Sequence, residues 1–107
     1  MSFKFCSLFS GSSGNASYIA TEKTHILVDA GLACRSIEKA MKEIGLDPSM
    51  LDGILITHEH DDHIRGAGVV SRKYNVPIYA NEATWLAMEG KIGNISSNNI
   101  RIFNNNM

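Results

Sequence analysis

The chain opens with three short apolar runs separated by polar turns. These runs predict three strands, at residues 3–9, 16–21 and 25–29. The connections between them are the turn-forming cluster Ser10–Asn15 and the polar pair at residues 22–23. Connections this short favour an antiparallel arrangement of successive strands. We therefore expect the fold to begin with an antiparallel meander.

The hydrophobic period then changes to that of a helix. Apolar side chains recur at positions i, i+3, i+4 and i+7, and charged residues occupy the other side. The apolar stripe consists of Ile37, Ala40, Met41 and Ile44. Gly45 stands at the position of a helix stop, so a helix ending just before it is expected.

Strands and helices alternate in the rest of the chain. This succession predicts an α/β (α+β) fold with a mixed, mostly antiparallel sheet and helices on one of its faces. The expected elements are a buried strand at 54–56, a helix within 64–75 that starts after Gly66 or Gly68, a strand at 76–80, a helix from the N-cap Asn81 to Glu89, and a strand at 100–103.

Composition places the chain among ordinary globular domains. Its 107 residues are 44% hydrophobic with a formal net charge of −1, which suits one domain over residues 1–107 with an Asn-rich tail at 91–107. No apolar run approaches the roughly 18 residues of a membrane span, so no membrane partner is expected. Cys6 and Cys34 lack a C-x-x-C spacing, which favours reduced thiols in the cytoplasm. Basic residues are dispersed, and charge alone indicates no nucleic-acid surface.

The strongest chemical signal follows the expected strand at 54–56. The segment Thr57–His63 contains three of the four histidines of the chain, in the spacing H-x-H-x-D-H. Imidazole and carboxylate groups are ligands of Zn²⁺, Mn²⁺ and Fe. In an extended segment the first two histidines point the same way, and the aspartate and last histidine follow where the chain turns toward a helix. The predicted metal ligands are His58, His60, Asp62 and His63.

Three other acidic or imidazole groups are left outside this ligand set. Glu59 and Asp61 occupy the intervening positions and are expected to point away from the metals. His25 has no other ligand-type group near it in sequence. We expect His25 to be an ordinary surface histidine or a satisfied core one.

Two segments resemble hallmarks of the metallo-β-lactamase fold superfamily. Thr57–His63 is similar to its metal loop, and Ile26–Gly31 resembles the strand end that supports that loop. The resemblance implies that Asp29 braces the metal ligands by hydrogen bonding. It also implies two divalent ions, Zn or Mn with Fe as a further option, and a bridging water that becomes a nucleophilic hydroxide. Asp62 would then be catalytic as well as a ligand, because it would orient that hydroxide.

The N-terminal segment Ser7–Asn15 is more selective. It resembles the WalJ/YycJ branch of the superfamily, whose members are cytoplasmic and are described as 5′-to-3′ exonucleases acting on DNA. The resemblance implies a metal-dependent phosphodiesterase with DNA as its substrate. A loop in this segment would present backbone N–H groups to a phosphate, or would be only a hairpin turn. The loop consists of Ser12, Ser13, Gly14 and Asn15.

A full domain of this superfamily is an αββα sandwich of two similar halves, and the chain is expected to be its N-terminal half. No histidine follows His63, so the ligands of the other half cannot be nominated here. The sheet face that the other half covers would be apolar and exposed, and self-association through it is expected. The metal loop does not separate a nuclease from a thioesterase or lactonase of the same fold. A catalytically inert fragment is the third alternative.

Overall fold

The computed structural model describes residues 3–104 and consists of one mixed sheet with four helices. The strands are β1 (Lys4–Phe9), β2 (Ala16–Ala20), β3 (His25–Val28), β4 (Gly53–Leu55), β5 (Ile78–Asn81) and β6 (Ile100–Phe103). The helices are α1 (Cys34–Glu43), α2 (Asp61–Ile64), α3 (Ala67–Tyr74) and α4 (Glu82–Met88), and short 3₁₀ turns lie at Pro48–Met50 and Ser97–Asn99.

The six strands follow one another across the sheet in chain order. The pairs β1–β2 and β2–β3 are antiparallel, which confirms the predicted meander. The pairs β3–β4, β4–β5 and β5–β6 are parallel, because a crossover containing helix or 3₁₀ turn joins each of them. The sheet is therefore mixed, as predicted, but three of its five strand pairs are parallel, so the expectation of a mostly antiparallel sheet is wrong. The antiparallel part is confined to the first three strands. The parallel pairing of β3 and β4 brings their carboxyl ends to the same edge.

One face of the sheet packs against the helices. Tyr18, Leu27, Ile54 and Ile78 are neighbours in register across four strands, and each is at most 4% exposed. They belong to the same core as the apolar residues of the helices. The helical contribution includes Ile37, Met41, Val70, Trp85 and Met88.

The opposite face of the sheet is apolar but only half buried. Its residues include Ile19, Ile26, Val28, Leu55 and Tyr79, which are neighbours in the alternate rows of the same register. The helices thus lie on one face, as expected, and the other face keeps partial contact with solvent.

Several local predictions are confirmed by the boundaries of the helices. The Asn81 side chain caps α4 by accepting a hydrogen bond from Thr84 N at 2.8 Å. Gly45 has a φ of 79° and follows α1 as its stop, and α3 begins directly after Gly66. The expectation that Ile44 belongs to the buried stripe is wrong, since α1 ends at Glu43 and Ile44 is 44% exposed.

The Asn-rich segment contains regular secondary structure, including β6. Residues 91–104 contain the second 3₁₀ turn and this strand, and Asn99 Nδ2 donates to Asn75 Oδ1 at 2.9 Å. Asn105 and Asn106 lie outside the described residues. Among residues 3–104, no helix is long and apolar enough to cross a membrane.

Candidate metal centre

The predicted metal loop lies at the carboxyl end of β4, beside the carboxyl end of β3. Asp29 comes directly after β3, and its N–H donates to Leu55 O at 2.8 Å. The Asp29 Oδ1 atom in turn accepts a hydrogen bond from Thr57 N at 2.8 Å. Two strand ends that are far apart in the sequence are therefore joined at the first residue of the loop.

The Asp29 carboxylate is the centre of a hydrogen-bond network. Its Oδ2 atom accepts from Thr57 Oγ1 at 2.6 Å and from His63 Nδ1 at 2.8 Å. The residue is 6% exposed, and its φ of 62° lies in the left-handed region, which non-glycine residues adopt only when their surroundings require it. This arrangement supports the bracing role predicted for Asp29.

Thr57 extends the network to His58. Thr57 Oγ1 lies 3.0 Å from His58 Nδ1. Because an ionised carboxylate only accepts, the Thr57 hydroxyl proton points to Asp29, and the hydroxyl oxygen accepts Nδ1–H of His58. The same reasoning places the proton of His63 on Nδ1. A neutral ring held in this way directs its Nε2 lone pair away from the network, which is the form that binds a metal ion.

The sequence did not reveal this role of Thr57. Its position before the first histidine is visible in the sequence, but its hydrogen-bond partner Asp29 lies 28 residues away. No local pattern predicts that a threonine hydroxyl will join a distant carboxylate to the next residue's imidazole.

The four ligand candidates lie close to one another. Asp62 Oδ2 lies 3.7 Å from His63 Nε2, and the ring centroids of His58 and His60 are 6.1 Å apart. The centroid of His58 is 4.8 Å from that of His63, which is shorter than its distance to His60, so these distances do not divide the four candidates into the predicted pairs. Across residues 3–104, however, no three His, Cys, Asp or Glu side chains are arranged to hold one ion. The donor chemistry fits divalent metals, but each pair would need a further ligand.

The Gly/Ser loop lies against α2, next to Asp62. Asn15 N donates to Asp62 O at 2.8 Å, and Arg65 Nη1 donates to Ser13 O at 3.3 Å. The N–H groups of Gly14 and Asn15 are thus engaged within the protein, since that of Gly14 bonds Gly11 O. Ser12 and Ser13 are exposed. If this loop meets a phosphate, these two serines are the residues that face solvent there.

Lys91 contacts both residues that were expected to point away from the metals, Glu59 through its main-chain oxygen and Asp61 through its side chain. Lys91 Nζ donates to Glu59 O at 3.4 Å and lies 4.0 Å from Asp61 Oδ1. The Asp61 side chain is 72% exposed. The exposure of Asp61 agrees with its place outside the ligand set, whereas Glu59 Oε1 lies 4.0 Å from His60 Nε2, so the Glu59 side chain does not point away from the predicted ligands as expected.

His25 lies at the start of β3, at the opposite end of that strand from Asp29. Its Nδ1 pairs with the Tyr18 hydroxyl at 2.5 Å, which confirms a satisfied histidine. Burial raises the pKa of Tyr18, and the negative charge of Asp52 raises it further. Tyr18 therefore stays protonated, and its hydroxyl can donate to the imidazole.

Comparison with known proteins gives a consistent result. Residues 10–103 match the family model described as the metallo-beta-lactamase superfamily. The chain is 50% identical to exodeoxyribonuclease YycJ of Bacillus anthracis over 96% of its length, and 52% identical to exodeoxyribonuclease WalJ of Streptococcus pneumoniae over 94%. It spans 39% and 38% of those two proteins. Among solved structures, a beta-lactamase from Chitinophaga pinensis aligns with a TM-score of 0.66 and 26% identity, over 84% of this chain and 39% of that one.

Proposed function

The chain belongs to the metallo-beta-lactamase superfamily. From this premise we propose that it forms part of the active site of a metal-dependent phosphodiesterase, a 5′-to-3′ DNA exonuclease. The observation that carries the proposal is its identity of 50% or more to two exodeoxyribonucleases over nearly its whole length. Because the chain spans less than two-fifths of those relatives, the activity is proposed for a protein in which these residues supply part of the site.

The Asp29 network supports the metal part of the proposal. The contacts at Nδ1 of His58 and His63 leave Nε2 of each ring as the atom that would ligate a metal ion. We assign His58 and His60 to one divalent ion, and Asp62 and His63 to a second. Zn²⁺ and Mn²⁺ suit this mixture of imidazole and carboxylate, and Fe²⁺ is the next choice.

Bound divalent ions would supply Lewis-acid activation of water and would offset charge on a phosphodiester. The protein residues act by position. Asp29 and Thr57 hold the imidazoles, and Asp62 presents one carboxylate beside His63, where it could orient a nucleophile. The exposed Ser12 and Ser13 at the edge of the site are the proposed contacts to a substrate phosphate. We place this activity in the cytoplasm, where a DNA substrate and reduced cysteines are compatible.

The test measures both substrate class and metal dependence. The protein, with any coding sequence that continues beyond Met107 included, is assayed on 5′-labelled DNA and on a thioester with added Mn²⁺ or Zn²⁺. The proposal expects stepwise release of nucleotides from the 5′ end, lost on chelation and in His58→Ala. His25→Ala is the control, because His25 is engaged by Tyr18 away from the loop.

Two results would redirect the assignment. Thioester or lactone cleavage without DNA cleavage would indicate another hydrolase of the same fold. Metal binding at His58 with no turnover of any substrate would indicate an inert fragment. That outcome would agree with the finding that no three ligand side chains within residues 3–104 are arranged around one ion.

A further inference from the structure

The side chain of Asn15 lies between the Gly/Ser loop and the metal loop, and both its oxygen and its nitrogen make hydrogen bonds. Its Oδ1 accepts from Gly11 N at 3.3 Å, and its Nδ2 donates to Gly11 O at 3.1 Å. The same Nδ2 lies 3.3 Å from Asp62 O and 3.2 Å from Asp62 Oδ2. An amide nitrogen has two protons, so one serves Gly11 and the other is shared between the two Asp62 oxygens.

The main chain of Asn15 fixes this amide in place. Asn15 N donates to Asp62 O at 2.8 Å, and Asn15 O accepts from Gly31 N at 2.9 Å. Asn15 is therefore tied to α2 on one side and to the turn after β3 on the other. Both side-chain protons are in use, so this amide is not available to a substrate phosphate, contrary to what its place in the Gly/Ser loop suggested.

We propose that Asn15 is a positioning residue for the Asp62 carboxylate, an inference that rests on the metal-binding function proposed above. The amide holds Oδ2 of Asp62 while the same oxygen lies 3.7 Å from His63 Nε2. A carboxylate restrained in this way loses less rotational freedom when it binds an ion. Residues that orient metal ligands typically change affinity by about 10- to 100-fold when they are replaced.

The same amide couples the Gly/Ser loop to the metal site. It closes the loop by bonding both main-chain groups of Gly11, and it bonds Asp62 with its remaining proton.

The test is Zn²⁺ binding to the 107-residue chain, followed by isothermal titration calorimetry. Asn15→Ala is expected to weaken binding about tenfold or more, whereas Asn94→Ala, the same change at an exposed asparagine, leaves the affinity unchanged. In an Asp62→Ala background, Asn15→Ala is expected to have no additional effect on Zn²⁺, because the residue acts through Asp62. A loss of stability from opening the loop would persist in that background, so the cycle separates positioning from folding.

A metal-free readout accompanies the titration. The side-chain amide resonance of Asn15 is expected to move in Asp62→Ala, as its hydrogen-bond acceptor is removed. Unchanged Zn²⁺ affinity in Asn15→Ala, or an equal loss in both backgrounds, overturns the positioning role while leaving the proposed function intact. No Zn²⁺ binding by the 107-residue chain overturns the positioning role in this chain, whereas the proposed function is decided separately by the DNA assay; the amide resonance then shows whether the contact itself exists.

Discussion

At the scale of single residues, the Asp29 carboxylate accepts three hydrogen bonds, from Thr57 N, Thr57 Oγ1 and His63 Nδ1. Asp29→Asn retains a residue that tolerates the left-handed backbone, but its amide replaces one acceptor oxygen with a donor. We expect the Zn²⁺ affinity to fall about 10- to 100-fold and the free energy of unfolding to fall by about 1–3 kcal/mol. Calorimetric titration and urea denaturation measure the two effects.

The matched control for Asp29→Asn is Asp52→Asn. Asp52 Oδ2 accepts one hydrogen bond, from His25 N at 2.8 Å, and an amide oxygen can accept the same bond. The Zn²⁺ affinity should therefore be unchanged in this variant. An equal decrease in both variants would mean that Asp29 has no special relation to the metal ligands.

At the scale of elements, the turn after β3 packs against the main chain of α2 without space for a side chain. A Cβ atom at Gly31 would lie 1.8 Å from Asp62 O. Gly31→Ala is expected to lower the free energy of unfolding by about 1–3 kcal/mol or more, because backbone must move. At Gly90 a Cβ atom would meet nothing within 4 Å. Gly90→Ala should therefore change the free energy of unfolding by less than about 0.5 kcal/mol. Similar losses in the free energy of unfolding for the two variants, measured by urea denaturation, would contradict the close packing at Gly31.

A second element-level contact joins α1 to α3 at Glu38. Lys73 Nζ donates to Glu38 Oε2 at 2.5 Å, and the Tyr74 hydroxyl donates to the same oxygen. The hydrogen bond from Lys73, and then that from Tyr74, lower the pKa of Glu38. The stabilisation is therefore fully present above the pKa of an unfolded-state glutamate and is lost as the pH falls through the lower folded-state pKa.

The pH dependence is tested with Glu38→Gln. Its Tm should lie below that of the parent chain at neutral pH, and this difference should shrink as the solution is acidified. Glu43→Gln, on the same helix at an exposed position, should show a smaller difference with little pH dependence. A difference for Glu38→Gln that stays constant from neutral to acid pH would contradict the role of its charge.

At the scale of the whole molecule, the half-buried sheet face predicts self-association of the 107-residue chain. Phe5 is paired with Ile19 in register on this face and is 63% exposed. The mass from light scattering is expected to rise with concentration, and Phe5→Lys should reduce that rise by placing a charge on the face. Leu86→Lys, at a residue that is 68% exposed on α4, is the control. A monodisperse monomer at all concentrations would contradict the prediction.

The order of the elements and the residues that gather at the candidate site could be predicted from the sequence. Strand and helix periods depend on residues a few positions apart, and the ligand set lies within one loop, so both signals are local. The cap Asn81 and the stop Gly45 were predictable for the same reason. Two predictions failed at the ends of helices, where periodic signals are weak. The helix α2, with only four residues, was not predicted, and Ile44 was assigned to the apolar stripe of α1 although it is exposed.

Only the tertiary structure decided how the site is supported. The parallel pairing of β3 and β4 brings Asp29 to Thr57 and His63, which lie 28 and 34 residues further along the chain. The return of the Gly/Ser loop brings Asn15 to Asp62 across 47 residues. Contacts over such distances depend on strand register and on close approach at Gly31, and neither is contained in a local pattern. The sequence therefore determined which groups could bind a metal, and the fold determined which hydrogen-bond partners orient those groups.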